Sequence, residues 1–133
     1  MKTILILTLL LTTSYYVKGQ TSDTVKSNVE TKIFETAPEP KGGMSGFLKF
    51  LSSKIKYPKD ARKQRIEGKV LVEFVVSSDG TVKSESVRVI QGLFESIDNE
   101  AKRVITLSPK WKPGTRNGQP IDMRMVMPIF FRL

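Results

Sequence analysis

The sequence predicts an α+β fold: a three-stranded antiparallel sheet packed on one face by two main helices. Three observations predict it. The segment 121–133 alternates without a break, with Ile121, Met123, Met125, Met127, Ile129, Phe131 and Leu133 on one parity and a period of two along the chain. Val70, Val72, Phe74 and Val76 form a second alternating run that ends at Ser77-Ser78-Asp79-Gly80, and Asp-Gly is a favoured hairpin turn. Two further segments carry apolar residues at spacings of three and four, the mark of amphipathic helices. One parity of the last strand is consistently apolar, so helices are expected on a single side of the sheet.

The elements follow in chain order. Met1 to Gly19 reads as a secretory signal peptide: Lys2 provides the positive start, Ile4 to Leu11 the apolar stretch, and Val17-Lys18-Gly19 a cleavage site before Gln20. Left uncleaved, the same segment is the alternative, an inner-membrane anchor facing the periplasm. It is short for a span, which needs about 20 apolar residues. Residues 20–40 are polar and are expected to form a flexible leader, with the domain proper at 41–133. Met44, Phe47, Leu48, Leu51 and Ile55 define the first helix, with Ser45 its expected N-cap. Tyr57-Pro58 breaks that helix, because the residue before proline avoids helical dihedrals. Pro58 then opens a short second turn that turns Ala61 inward.

The strand that returns from Asp79-Gly80 begins at Thr81. Its apolar phase slips from Val82 to Val87 and Val89, which predicts a bulge near Ser84 to Ser86. Leu93, Ile97, Ala101, Val104 and Ile105 make the next amphipathic stripe, with Ser96 as expected cap and Ser108-Pro109 as stop. Trp111 is expected in the core or on its flank. Asn117-Gly118 makes a turn into the last strand.

Composition narrows the chemistry. The chain has no Cys and no His, which removes thiolate and imidazole catalysis and most zinc sites. Glu67, Glu73 and Glu85 have no reason to converge on strand alternation, and Asp79-Gly80 lacks the other acids of a calcium loop. The expectation is a non-enzyme with no cofactor and no metal. Removing Lys2 and Lys18 from the 22 basic residues leaves 20 against 13 acidic ones, a net charge of +7 after cleavage. Export and the lack of a recognition motif argue against nucleic acid as the partner.

Pro128 sits inside the last strand. Proline has no N–H, so it is tolerated where that donor would face outward, at a sheet edge. Asp122, Arg124, Val126 and Phe130 share its parity and should turn their backbone groups outward too. An open edge accepts an extended peptide by strand addition. Pro and charge at an edge are also devices against aggregation, so the edge by itself leaves both readings open.

The ordered set of motifs resembles the TonB C-terminal domain family. It comprises Tyr57-Pro58-x-x-Ala61, Gly68-x-Val70-x-Val72-x-Phe74-x-Val76, Asp79-Gly80-x-Val82, Val87, Gly92, Asp98-x-x-Ala101-x-x-Val104, Trp111-x-Pro113-Gly114, Gly118-x-Pro120 and Pro128-Ile129-x-Phe131. Pro40-Lys41-Gly42-Gly43 ahead of the first helix is similar to Bacteroidetes-type members. The resemblance covers residues 34–133. It implies a periplasmic protein that pairs its last strand with the Ton box, an extended segment of a TonB-dependent outer-membrane receptor, in transmembrane transport. Carried over by position, the edge runs from Asp122 to Phe131 and includes Arg124, Met125, Val126, Met127, Pro128 and Phe130. Lys54, Ile55, Lys56 and Tyr57 resemble the family's second contact region with the receptor. The expected partner is thus such a receptor or another envelope protein, with membrane contact only through it unless the N-terminus stays uncleaved. The alternative is a structural, self-associating domain that pairs edge to edge as a homodimer.

Overall fold

The structure, a computed structural model, describes residues 33–133. The expected signal peptide and the leader up to residue 32 lie outside the described residues. No described helix is long and apolar enough to cross a membrane.

The elements run β1 (Glu35–Thr36), β2 (Glu39–Pro40), α1 (Gly43–Lys54), α2 (Lys59–Lys63), β3 (Gly68–Val76), β4 (Arg88–Gln91), α3 (Glu95–Thr106), β5 (Trp111–Lys112), β6 (Thr115–Arg116), β7 (Gln119–Pro120) and β8 (Met123–Phe131). The principal sheet has the order β4-β3-β8. Both of its pairings are antiparallel, and β8 pairs with β3 from Gly68↔Phe131 to Val76↔Met123 without a register shift. This is the expected α+β architecture, with the strand that contains Pro128 at an edge.

The inward row of β3 is Val70, Val72, Phe74 and Val76, all fully buried. Ile97, Ala101, Val104 and Ile105 of α3 close over it, joined by Phe47 and Leu51 of α1 and by Ile129 and Phe131 of β8. Trp111 is buried at the centre, edge-on to Phe47 and Phe74 at centroid distances of 5.3 and 5.5 Å. Such aromatic pairs add about 0.5–1.5 kcal/mol beyond burial. Among the described residues no helix covers the opposite face of the sheet. Its central charge is Glu73, which binds Arg88 of β4 and, at 3.5 Å, Arg124 of β8. One carboxylate therefore ties all three strands across the open face. The Arg88 hydrogen bond, with Arg124 nearby, holds Glu73 below the usual carboxylate range against the opposing effect of burial.

Several local expectations are corrected. Helix α1 starts at Gly43 behind a left-handed Gly42 and has no side-chain cap, so Ser45 lies within its first turn. Helix α3 starts behind Phe94, not Ser96. Asp98 reaches back instead and accepts the N–H groups of Leu93 and Phe94, while Ser96 donates to Asp60 of α2 at 2.8 Å. The slip near Ser84–Ser86 is a 3-10 turn and not a bulge. There the Ser86 hydroxyl accepts the Val75 N–H at 2.8 Å and takes the place of a ladder carbonyl. The return strand accordingly holds only a bridge at Val76↔Val82 before β4 forms.

Residues 33–40, ascribed from sequence to the leader, are paired. Glu35 and Thr36 face Arg116 and Thr115, and Glu39 and Pro40 face Lys112 and Trp111. An ion pair from Glu35 to Arg116 at 2.7 Å adds to the first contact. Two-residue bridges have no periodicity, so composition alone could not reveal them. The same connection holds Gly80, whose backbone is left-handed at φ +86 and whose absent Cβ would lie 2.0 Å from the Trp111 carbonyl oxygen. Trp111 N–H donates to Gly80 O at 2.8 Å. The hairpin turn and the Trp111 segment thus meet backbone to backbone, which only glycine permits.

Candidate functional site

The site is built around the free side of β8. Pro128 stands opposite Leu71 and has no N–H to give, so this is a pair that exchanges no ladder bonds. Antiparallel pairs alternate in type. Arg124↔Val75, Val126↔Glu73 and Phe130↔Lys69 are therefore of the same kind, and their N–H and C=O groups point away from β3. Among the described residues no strand pairs on that side. Arg124, Val126, Pro128 and Phe130 are also the exposed members of the strand.

The other parity does different work. Met125 and Met127 are half-buried against the core, and their backbone groups point to β3. They support the edge and do not face a guest. Asp122 precedes β8, and its carboxylate is already engaged. It accepts the Ser78 N–H at 2.8 Å and pairs with the Lys83 ammonium at 2.5 Å, bonds that hold it below the ordinary carboxylate range. Asp122 fastens the β3 turn to the start of β8.

The expected second contact region lies beside the C-terminal half of β8. Ile55 and Tyr57 line one groove of about 310 Å³ together with Leu48, Arg62, Pro128 and Phe130. Tyr57 joins the two sides: its hydroxyl donates to the Ile66 carbonyl, and its ring stands edge-on to Phe131 at 5.9 Å. Burial, with Glu67 nearby, raises the Tyr57 pKa, and Arg62 opposes that rise. Leu48 and Phe130 are 55% and 54% exposed, so the groove presents apolar side chains to solvent. The structure thus brings together Ile55, Tyr57, Pro128 and Phe130. Lys54 and Lys56 flank the groove without lining it, and Arg124 and Val126 continue the edge beyond it.

Sequence reasoning missed what holds this region still. Glu100 of α3 accepts the Lys56 N–H at 2.7 Å, and Arg103 donates to the Lys54 carbonyl at 2.8 Å. The two side chains also pair with each other at 2.6 Å. Burial would raise Glu100, but the Arg103 and Lys56 hydrogen bonds outweigh it and keep the carboxyl low. An ion pair on α3 therefore clamps the backbone of 54–56. The available signal was the Glu100/Arg103 spacing of three on a helix, but its target 44 residues away was not legible. Leu48, Ser52 and Arg132 were missed as well, because nothing in a one-dimensional pattern brings α1 against the end of β8.

Among the described residues, no cluster of acidic side chains is arranged to hold a metal ion, and the groove contains no paired acid and base at reacting distance. Its chemistry is that of contact: free backbone donors and acceptors beside an apolar trough with guanidinium groups at its end.

Comparison with known proteins agrees in fold. The solution structure of the Helicobacter pylori TonB C-terminal domain, residues 179–285, is 27% identical with a TM-score of 0.51, over 68% of this chain and 79% of that one. A shorter form of that domain, residues 194–285, is 26% identical over 66% of this chain and 90% of that one, with a TM-score of 0.46. A comparison with curated proteins finds no match. The family model described as the Gram-negative bacterial TonB protein C-terminal matches residues 53–133, which takes in the clamp, the whole principal sheet and the groove apart from its α1 residues Leu48, Leu51 and Ser52. The chain belongs to the TonB C-terminal domain family.

Proposed function

We propose that this protein binds an extended, Ton box-like segment of an outer-membrane receptor by adding it as a fourth strand beside β8. Family membership carries a role in TonB-dependent transport, and domains of this family act in the periplasm. The finer reading rests on one observation: β8 is a nine-residue edge whose outward groups at Arg124, Val126 and Phe130 are free of any described strand and run into the Leu48–Phe130 groove. A guest strand gains backbone hydrogen bonds from the edge and selectivity from the groove. Nothing in the site calls for catalysis, so the function is recognition. Export by the N-terminal signal peptide is part of the same proposal, since it delivers the domain to the compartment where such segments are exposed.

The test is binding of a Ton box peptide to the protein and to an Arg124→Pro/Val126→Pro double variant. Those prolines remove outward-pointing N–H groups together with the Arg124 contact to Glu73, and the backbone ladder to β3 survives. The expected result is an affinity loss of about tenfold or more with an unchanged near-ultraviolet dichroism spectrum. Equal binding by both proteins removes the edge from the mechanism.

A further inference from the structure

We propose that the end of the domain formed by α2, the start of β3 and the tail after β8 docks directly on an anionic phospholipid surface, with its arginines taking headgroup phosphates. This goes beyond strand addition and requires no guest strand.

Positive charge is concentrated at one end of the sheet. The segment 54–69 carries seven basic residues against two acidic ones, an excess of five in a chain whose expected mature excess is seven. Both acids are engaged. Asp60 accepts the Ser96 hydroxyl and the Ala61 N–H, and Glu67 accepts the Leu133 N–H at 2.5 Å. The other end of β3 is balanced. Around the Asp79-Gly80 turn, Lys83, Lys110 and Lys112 stand against Asp79, Glu85 and Asp122. The Trp111 N–H bond to the Gly80 carbonyl holds 110–112 at that end. The nine residues of β3 separate the two ends by about 26 Å. The field of the domain is therefore polarised along the strands.

The geometry of the basic end suits phosphate joined to hydrocarbon. Arg62, Arg65 and Arg132 line one cavity of about 450 Å³ with Tyr57 and Leu133. None of the three forms an ion pair with a carboxylate among the described residues, unlike Arg88, Arg103, Arg116 and Arg124. Arg62 lies over the Tyr57 ring at 5.7 Å and Arg132 over Phe130 at 5.6 Å. Stacking steadies each guanidinium plane and leaves its N–H rim open to phosphate oxygens. Large apolar side chains stand at the same end. Leu133, 57% exposed, lines the arginine cavity, and Leu48 and Phe130 line the adjoining groove that shares Arg62 and Arg132. Basic side chains around exposed apolar ones match a headgroup layer: the charges meet phosphates and the apolar tips enter the acyl boundary. An acidic polymer would satisfy the arginines alone.

The experiment floats the protein with vesicles of phosphatidylcholine alone or with about 30% phosphatidylglycerol, at low salt and at about 0.5 M salt. At low salt the protein should bind the phosphatidylglycerol vesicles about tenfold or more better than the neutral ones. An Arg62→Gln/Arg65→Asn variant should lose about tenfold, since each basic residue at an anionic surface is worth about fivefold in partition. Asn suits the left-handed backbone of Arg65 at φ +52, and an unchanged amide NMR fingerprint checks the fold. A Lys110→Gln/Lys112→Gln variant removes the same charge from the far end and should stay within about twofold of the parent protein. Equal binding to both vesicles, or equal losses in the two variants, overturns the proposal. Polyglutamate matched in charge to the lipid should displace only a minor part of the bound protein. Complete displacement assigns the surface to an acidic protein partner and overturns the lipid reading. Ton box peptide binding that persists in a protein with no affinity for phosphatidylglycerol vesicles leaves strand addition standing while this inference falls.

Discussion

The two edges of the principal sheet differ in almost every respect that matters for a guest. Edge β8 is nine residues long, keeps one register with β3 throughout and sinks Ile129 and Phe131 into the core. Edge β4 is four residues long, has a register shift between Leu71 and Val72, and buries none of its residues fully. The cavity beside β4 is the larger, about 740 Å³ against about 310 Å³. Its charged lining is balanced, Arg88 and Lys102 against Glu95 and Asp98, whereas Arg62 and Arg132 beside β8 have no carboxylate partner among the described residues. The lesson is that space does not make a strand-docking site. A guest needs a long, unbroken row of free donors and acceptors held by a rigid neighbour, and among the described residues only β8 has one.

Four outcomes would break or sharpen this contrast. The largest concerns rigidity. Phe131→Ala should cost about 3–5 kcal/mol of stability, while Val89→Ala on half-buried β4 should cost about 1 kcal/mol. Denaturant midpoints at unchanged slope measure both, and equal losses would erase the distinction between the edges. Next, saturation with a Ton box peptide should slow amide exchange at Arg124, Val126 and Phe130 by about tenfold or more and leave Val89 and Ile90 unchanged. Protection centred on β4 would reverse the assignment.

A smaller effect tests the clamp. Arg103→Ala leaves the Lys54 carbonyl without its partner and Glu100 with only the Lys56 N–H, and should cost about 1–2 kcal/mol. It should weaken peptide binding severalfold through disorder of 54–57, detected as faster exchange of the Lys56 amide that Glu100 accepts. The smallest is a pH effect at the far end of the hairpin. The Ser77 hydroxyl and the Thr81 N–H hold the Asp79 carboxyl down from 3.8 to about 2. A depressed folded pKa stabilises above the unfolded value and is lost as pH falls through the folded one. Protection of the Thr81 amide should thus be complete above pH 3.8 and fade towards about 2. Asp79→Asn should remove that dependence without changing peptide affinity near neutral pH.

Much of this architecture was legible in the sequence. The period-two runs at Val70–Val76 and Ile121–Leu133 announced β3 and β8, and the Ile97–Ile105 stripe announced α3. Pro128 alone placed β8 at an edge, because a missing N–H is a local fact with a topological consequence. Helix caps were read less well. Ser45 and Ser96 are good cap residues by type, yet a glycine entry and a reaching Asp98 served instead. Part of the groove was readable through Ile55, Tyr57, Pro128 and Phe130. The rest was not, since Leu48 and Arg62 come to one groove with Arg132 only after α1, α2 and β8 have packed.

The sequence by itself determined the alternation, the breaks at Tyr57-Pro58 and Ser108-Pro109, the glycine turn at Gly80 and the absence of imidazole and thiol chemistry. Each of these depends on backbone freedom or side-chain type within a few residues. The tertiary structure decided which edge is long and unbroken and how Glu100 and Arg103 pin the loop before Tyr57. Those depend on distances between groups 30 to 80 positions apart, and such distances exist only once burial of the common core has fixed where each element lies.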